Sequence, residues 1–276
     1  MTFSFRAFVL VLGCLNIAST HAQSPQTQLA IEVTEKLHAS GQRHESGGVV
    51  LWIEPDGLDA DAVEDFLRKL EQGEAVLRSH LGALVDEPES PRRIEVFMSP
   101  RVRMSHVRFD HPTMVYIPTW RIADDSAPYL HEMVHAMASW SWRHSEWLGE
   151  GLANHVAAAV EPTSGGYHHS VVLPERLRDV QRYLASPEGQ EVLALIGPKG
   201  RRKELPPELD RIVAKVLTDR VHYAKPFYAL SWSFVDYIVA QEGLAKLREV
   251  VADQDRVNTL KLAWLDSLQG AQQSIH

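Results

Sequence analysis

The spacing of apolar positions divides the chain into segments of different character. Residues 7–18 form an almost unbroken apolar run. Residues 27–40 have the spacing of a helix. Residues 49–53 are a short β-rich run, and Glu54-Pro55-Asp56-Gly57 ends it with a turn signal. Between Asp59 and Leu81, the apolar residues Val63, Phe66, Leu67, Leu70, Val76, Leu77 and Leu81 fall on one side of a helix, with Asp59 and Asp61 suited to its positive end. Residues 93–98 read as a strand, and residues 114–117 as another, closed by Pro118. From Ser126 onward strand signals almost disappear. Helical spacing recurs near 126–141, 147–160, 175–185, 207–219, 226–240, 243–252 and 256–269. This order predicts an α+β fold, with a small α/β part over 23–125 and a mainly helical part over 126–276 of one domain.

The first apolar run has its own meaning. Arg6 supplies a positive flank, and Thr20-His21-Ala22 ends in a small residue. The run is about 12 residues, against the roughly 20 needed to cross a bilayer. The pattern predicts a secretory signal peptide over 1–22, cut after Ala22, and hence an exported protein, periplasmic or secreted. Lipoprotein anchoring at Cys14 is the alternative. It would use Val11-Leu12-Gly13, where Leu12 is bulkier than usual. No later apolar run is long enough to span a membrane.

Composition narrows the chemistry. The chain has 276 residues, 45% hydrophobic and 23% charged, which is too apolar for a disordered chain and long enough to bury a real core. A net charge of −8 argues against nucleic acid as a partner. The basic run at 199–203 lacks aromatic neighbours for stacking and reads as a solvated loop. The single cysteine excludes both an internal disulfide and a cysteine-rich zinc site. Any metal must therefore be held by nitrogen and oxygen, and there are fourteen histidines to supply the nitrogen.

Two of these carry the strongest chemical signal. In Tyr129-Leu130-His131-Glu132-Met133-Val134-His135-Ala136-Met137, Leu130, Val134 and Met137 make an apolar face. Asp124, Asp125 or Ser126 can cap this helix, and Pro128 is tolerated in its first turn. His131 and His135 are four apart, so both imidazoles leave the same face and can reach one Zn²⁺. Glu132 is one step round the helix, where it can hold a water without ligating the metal. This is the HExxH pattern.

A second segment, Trp147-Leu148-Gly149-Glu150-Gly151-Leu152-Ala153, follows. The two together resemble the gluzincin metallopeptidases of the peptidase MA-like superfamily. There the third zinc ligand is a glutamate on the helix after HExxH, often within W-L-x-E-G-[FL]-A. The strong part of the resemblance covers about 30 residues. It implies a zincin-like fold with the metal in a cleft, one Zn²⁺ per chain, and Glu150 as third ligand. Glu146 and His144 are the competing positions. Only fourteen residues separate His135 from Glu150, which implies a short connection. Asn154, one turn after Glu150, falls where the thermolysin-like branch places an acidic residue that holds a zinc-binding histidine.

The resemblance implies a peptide or protein substrate and hydrolysis by a zinc-activated water, with Glu132 as general base. The segment from Pro226 to Ile238 looks like the family helix that begins with a catalytic tyrosine, which assigns Tyr228 as donor to the oxyanion. Leu230-Ser231 replaces the usual Lys-Gly there, and Tyr223 and His222 are the other candidates. Residues 114–117 are expected to be the edge strand to which substrate adds. Trp140, Trp142 and Trp147 read as core or cleft wall, and His168-His169 as a solvated loop. No GxMEN-like segment is present, so an endopeptidase is expected over an aminopeptidase. The rival expectation is a non-catalytic or inactive zinc-binding envelope protein.

Overall fold

The structure is a computed structural model, and it describes residues 25–54, 58–85, 93–108, 111, 113–164, 173–198 and 207–273. The segment 1–22 with Cys14, the His168-His169 pair and the basic run at 199–203 lie outside the described residues.

The fold is α+β, as expected. Helix α1 (Pro25–Ser40) leads into a hairpin of β1 (Gln42–Ser46) and β2 (Val49–Ile53). Helix α2 (Ala60–Leu81) follows, then β3 (Ile94–Ser99), β4 (His106–Val107), β5 (Met114–Pro118) and the short α3 (Trp120–Ala123). The sheet order is β1-β2-β3-β5-β4. The three central strands are parallel, and β1 and β4 run antiparallel at the two edges.

Side chains alternate across the sheet with the period of two that strands impose. Leu51, Ile53, Val96, Met98, Val115 and Ile117 enter the main core shared with α2 and the later helices. Phe97 and Tyr116 point to the other face, where α1 covers them with Ala30, Val33 and Leu37. There Trp52, Phe97, Tyr116 and His106 stand opposite one another across four strands. Phe97 stacks on Tyr116 at 5.2 Å and His106 on Tyr116 at 4.9 Å.

One expectation for this part is corrected, and two strands appear that the sequence did not predict. The strand at 114–117 exists, but it is not an edge. Strand β4 pairs outside it through His106↔Tyr116 and Val107↔Val115. A two-residue strand carries no periodicity, so β4 left no trace in the sequence. Strand β1 was also missed. Its sequence, Gln-Arg-His-Glu-Ser, is polar throughout because it is a solvated edge strand.

The helical part comprises α4 (Tyr129–Met137), α5 (Ser139–His144), α6 (Glu146–Ser164), α7 (Leu173–Leu184), α8 (Pro187–Leu193), α9 (Pro207–Thr218), α10 (Lys225–Glu242), α11 (Leu247–Ala252) and α12 (Gln254–Gln273). The expected helix over 126–141 is two helices, broken at Ala138, whose backbone leaves the helical region. Its cap also differs. Pro128 occupies the N-cap position, with no side-chain cap. Asp125 instead adopts φ 47° and accepts from Lys69 Nζ on α2 at 3.0 Å. Lys261 on α12 donates to the carbonyls of Leu193 (2.8 Å) and Ile196, tying α12 to the end of α8.

Candidate metal centre

Helices α4 and α6 pack against each other, and α5 fills the corner between them. Helix α4 also touches α2, β4 and β5, so it meets the sheet directly. On this frame His131, His135 and Glu150 converge, and their ligand atoms all lie within 4.8 Å of one another. The Nε2 atoms of the two histidines are 3.1 Å apart. Glu150 Oε2 is 3.2 Å from His131 Nε2 and 3.7 Å from His135 Nε2. Bonds of about 2.0–2.1 Å to a tetrahedral ion put neighbouring ligand atoms about 3.3 Å apart, so the donor set fits a Zn²⁺-sized ion. Other divalent ions share this donor chemistry.

Burial makes the same point. His131, Glu132 and His135 are each 6% exposed and Glu150 8%. Glu150 Oε2 is buried with no hydrogen-bond partner among the described residues. A buried carboxylate oxygen left in this way is costly unless an ion or other donor satisfies it. Burial by itself would raise the Glu150 carboxyl's pKa. The neighbouring His135 and His131 imidazoles outweigh it and hold the group well below the usual carboxylate range, in the anionic form a metal needs.

The two histidines are held differently. His131 Nδ1 donates to Asn154 Oδ1 at 3.1 Å, which leaves the Nε2 lone pair facing the site. His135 Nδ1 is buried without a hydrogen-bond partner among the described residues. Its ring meets Trp142 edge-on, with centroids 5.6 Å apart. The structure thus brings together His131, His135 and Glu150, with Glu132 beside His131 in the first turn of α4. Glu146 and His144 do not join the group.

The oxyanion candidates separate by their partners. His222 is exposed and donates from Nδ1 to Asp219 Oδ1 at 2.9 Å. Tyr223 accepts at its hydroxyl from Lys215 Nζ at 3.1 Å and lies under the same ammonium. Tyr228 sits half-buried in the first turn of α10, against the main core. Trp140 and Trp147 are buried and donate to the carbonyls of Leu84 and Gly197. Sequence reasoning passed over His155, which joins α6 to α10 by donating from Nδ1 to Asp236 Oδ1 at 2.6 Å. No motif marked it.

Two cavities lie away from the group. One of about 230 Å³ is bordered by Lys69, Arg121 and Asp125, and one of about 600 Å³ by α1 and residues 100–106. Comparison with protein-family models found no matching family, and comparison with curated proteins found no significant match. Among the described residues, no helix is long and apolar enough to cross a membrane.

Proposed function

We propose that this protein is an exported, zinc-dependent peptidase of the gluzincin type, acting on peptide or protein substrates in the periplasm or outside the cell. The observation that carries the proposal is the convergence of His131, His135 and Glu150 on one point, with Glu150 Oε2 lacking a hydrogen-bond partner among the described residues and Glu132 following His131 on α4. Two histidines and one glutamate leave a position open on a four-coordinate ion, the pattern of catalytic rather than structural zinc sites. When bound, zinc supplies Lewis-acid polarisation and lowers the pKa of water towards about 7.

The chain's own residues then have distinct tasks. The Glu132 carboxylate takes a proton as the water oxygen attacks the scissile carbonyl carbon. It returns that proton to the amide nitrogen as the C–N bond breaks. Tyr228 is the proposed donor to the developing oxyanion. Because 114–117 is an interior strand, β4 is the edge on this side of the sheet to which an extended substrate can add.

The test compares wild type, Glu132→Gln and His131→Ala for zinc content and for cleavage of a broad peptide library. The expected result is stoichiometric zinc in wild type and Glu132→Gln, cleavage by wild type alone, and metal loss in His131→Ala. Absence of zinc from wild type, or equal cleavage by Glu132→Gln, sinks the proposal. The near-complete burial of all four site residues favours a second reading, a non-catalytic zinc-binding protein. Zinc retention without cleavage in wild type would select it.

A further inference from the structure

We infer that Trp142 is a positioning residue for the metal, setting the plane of the His135 ring and the spacing between the two helices that carry the ligands. The inference rests on the metal reading above. His131 is oriented by the Asn154 amide, whereas His135 has no acceptor at Nδ1 among the described residues. A ligand without that hydrogen bond must be oriented by packing. Among the described residues, the rings that meet His135 are those of His131, perpendicular at 4.7 Å, and Trp142, at 80° and 5.6 Å. His131 is itself a proposed ligand, so Trp142 is the support that stands outside the metal group.

Trp142 also fixes where α6 lies. A Cβ placed on Gly149 would fall 2.8 Å from Trp142 Cε3, 3.0 Å from its Cα and 3.1 Å from its Cβ. Two of these atoms are at the root of the residue, so a small rotation of the ring cannot relieve the clash. Gly149 precedes Glu150. The indole therefore bridges His135 on α4 and the backbone beside Glu150 on α6. Losing the ring frees His135 to turn, and filling Gly149 drives Trp142 and Glu150 apart. The first glycine of the segment, Gly149, then has a structural task distinct from ligation.

The test is metal binding by the purified protein, read with Zn²⁺ against a competing chelator and with Co²⁺ by its visible d–d absorption. Apo thermal midpoints are measured alongside. Trp142→Ala and Gly149→Ala are each expected to weaken Zn²⁺ binding at least about tenfold, within the range seen when groups behind metal ligands are removed. Trp142→Phe, which keeps an aromatic edge against His135, is expected to stay within about threefold of wild type with an unchanged Co²⁺ spectrum. If Trp142→Ala does not fold, Trp142→Leu replaces it and is expected to bind more weakly than Trp142→Phe with a shifted spectrum. Affinities equal to wild type in a folded Trp142→Ala, or equal for Phe and Leu, overturn the inference alone. Failure of wild type to bind zinc, or binding unaffected by His131→Ala, overturns the metal reading and this inference with it.

Discussion

At the scale of single residues, Asn154 makes the sharpest statement about the metal centre. Its side-chain oxygen accepts from His131 Nδ1 at 3.1 Å, which selects the tautomer whose Nε2 can ligate. Asn154→Ala is expected to weaken Zn²⁺ binding by about ten- to a hundredfold, while Asn154→Asp, which keeps an acceptor at the same place, retains it. Chelator competition on the two purified variants decides the matter, and equal affinities for Ala and Asp would remove Asn154 from the site. The pairing of His131 with His135 was legible because the rule behind it is local, whereas Glu150 entered through the resemblance. A spacing of four puts two imidazoles on one helical face, and the same spacing relates Glu150 to Asn154. His106 was not legible. Its pKa is lowered by burial, opposed by its hydrogen bond to the Met104 carbonyl at 2.9 Å. The unfolded chain therefore takes up the proton at higher pH than the folded one. Stability is complete above the ordinary histidine value of about 6.5 and declines as the pH falls through it. His106→Phe keeps a ring on Tyr116 and removes this proton. Denaturant unfolding of the two proteins should show a smaller stability loss between pH 7 and 5 in the variant, and parallel losses would show that His106 does not contribute.

At the scale of elements, what positions the centre is the close approach of helices. Helix α6 packs most extensively on α10. A Cβ on Gly151 would fall 2.5 Å from the Ser231 carbonyl oxygen and 2.6 Å from Val235 Cγ2. A backbone oxygen cannot step aside as a long side chain can, so α10 must move. Gly151→Ala is expected to cost about 1–3 kcal/mol by overpacking, against a gain of at most about 1 kcal/mol from helix propensity. Equilibrium unfolding measures the difference, and a variant as stable as wild type would mean that the interface is slack. The Trp-Leu-Gly-Glu-Gly-Leu-Ala segment thus holds two kinds of information. The glutamate in it could be read as chemistry from the sequence. The packing role of its glycines could not, because the partners Trp142 and Ser231 are distant in sequence or on another helix. The same limit explains the misplaced edge. Periodicity found the strand at 114–117, but neighbour order depends on β4, whose two residues have no period. The break at Ala138 escaped as well, because apolar spacing continues across it.

At the scale of the whole molecule, the metal reading predicts how folding depends on the ion. The ligands come from two helices. One of them, α4, touches α2 and the sheet, and the other, α6, touches α2 and α10. An ion joining them would tie α4, which reaches the sheet, to α6, which packs on α10, and withdrawing it would leave a buried anionic carboxylate beside two imidazoles. An ion present at a hundred times its dissociation constant stabilises the folded state by about 2.7 kcal/mol. For a chain of this size each kcal/mol moves the thermal midpoint by about 2–4 °C, so chelation should lower it by about 5–10 °C. The shift must belong to the three converging side chains and not to Glu132, the proposed base. Glu132→Gln should keep the full difference between zinc-loaded and chelated protein, and His135→Ala should abolish it. A midpoint insensitive to chelation in wild type would mean that no ion links α4 to α6, whatever the distances between their side chains. A shift that persists in His135→Ala would place the stabilising ion elsewhere.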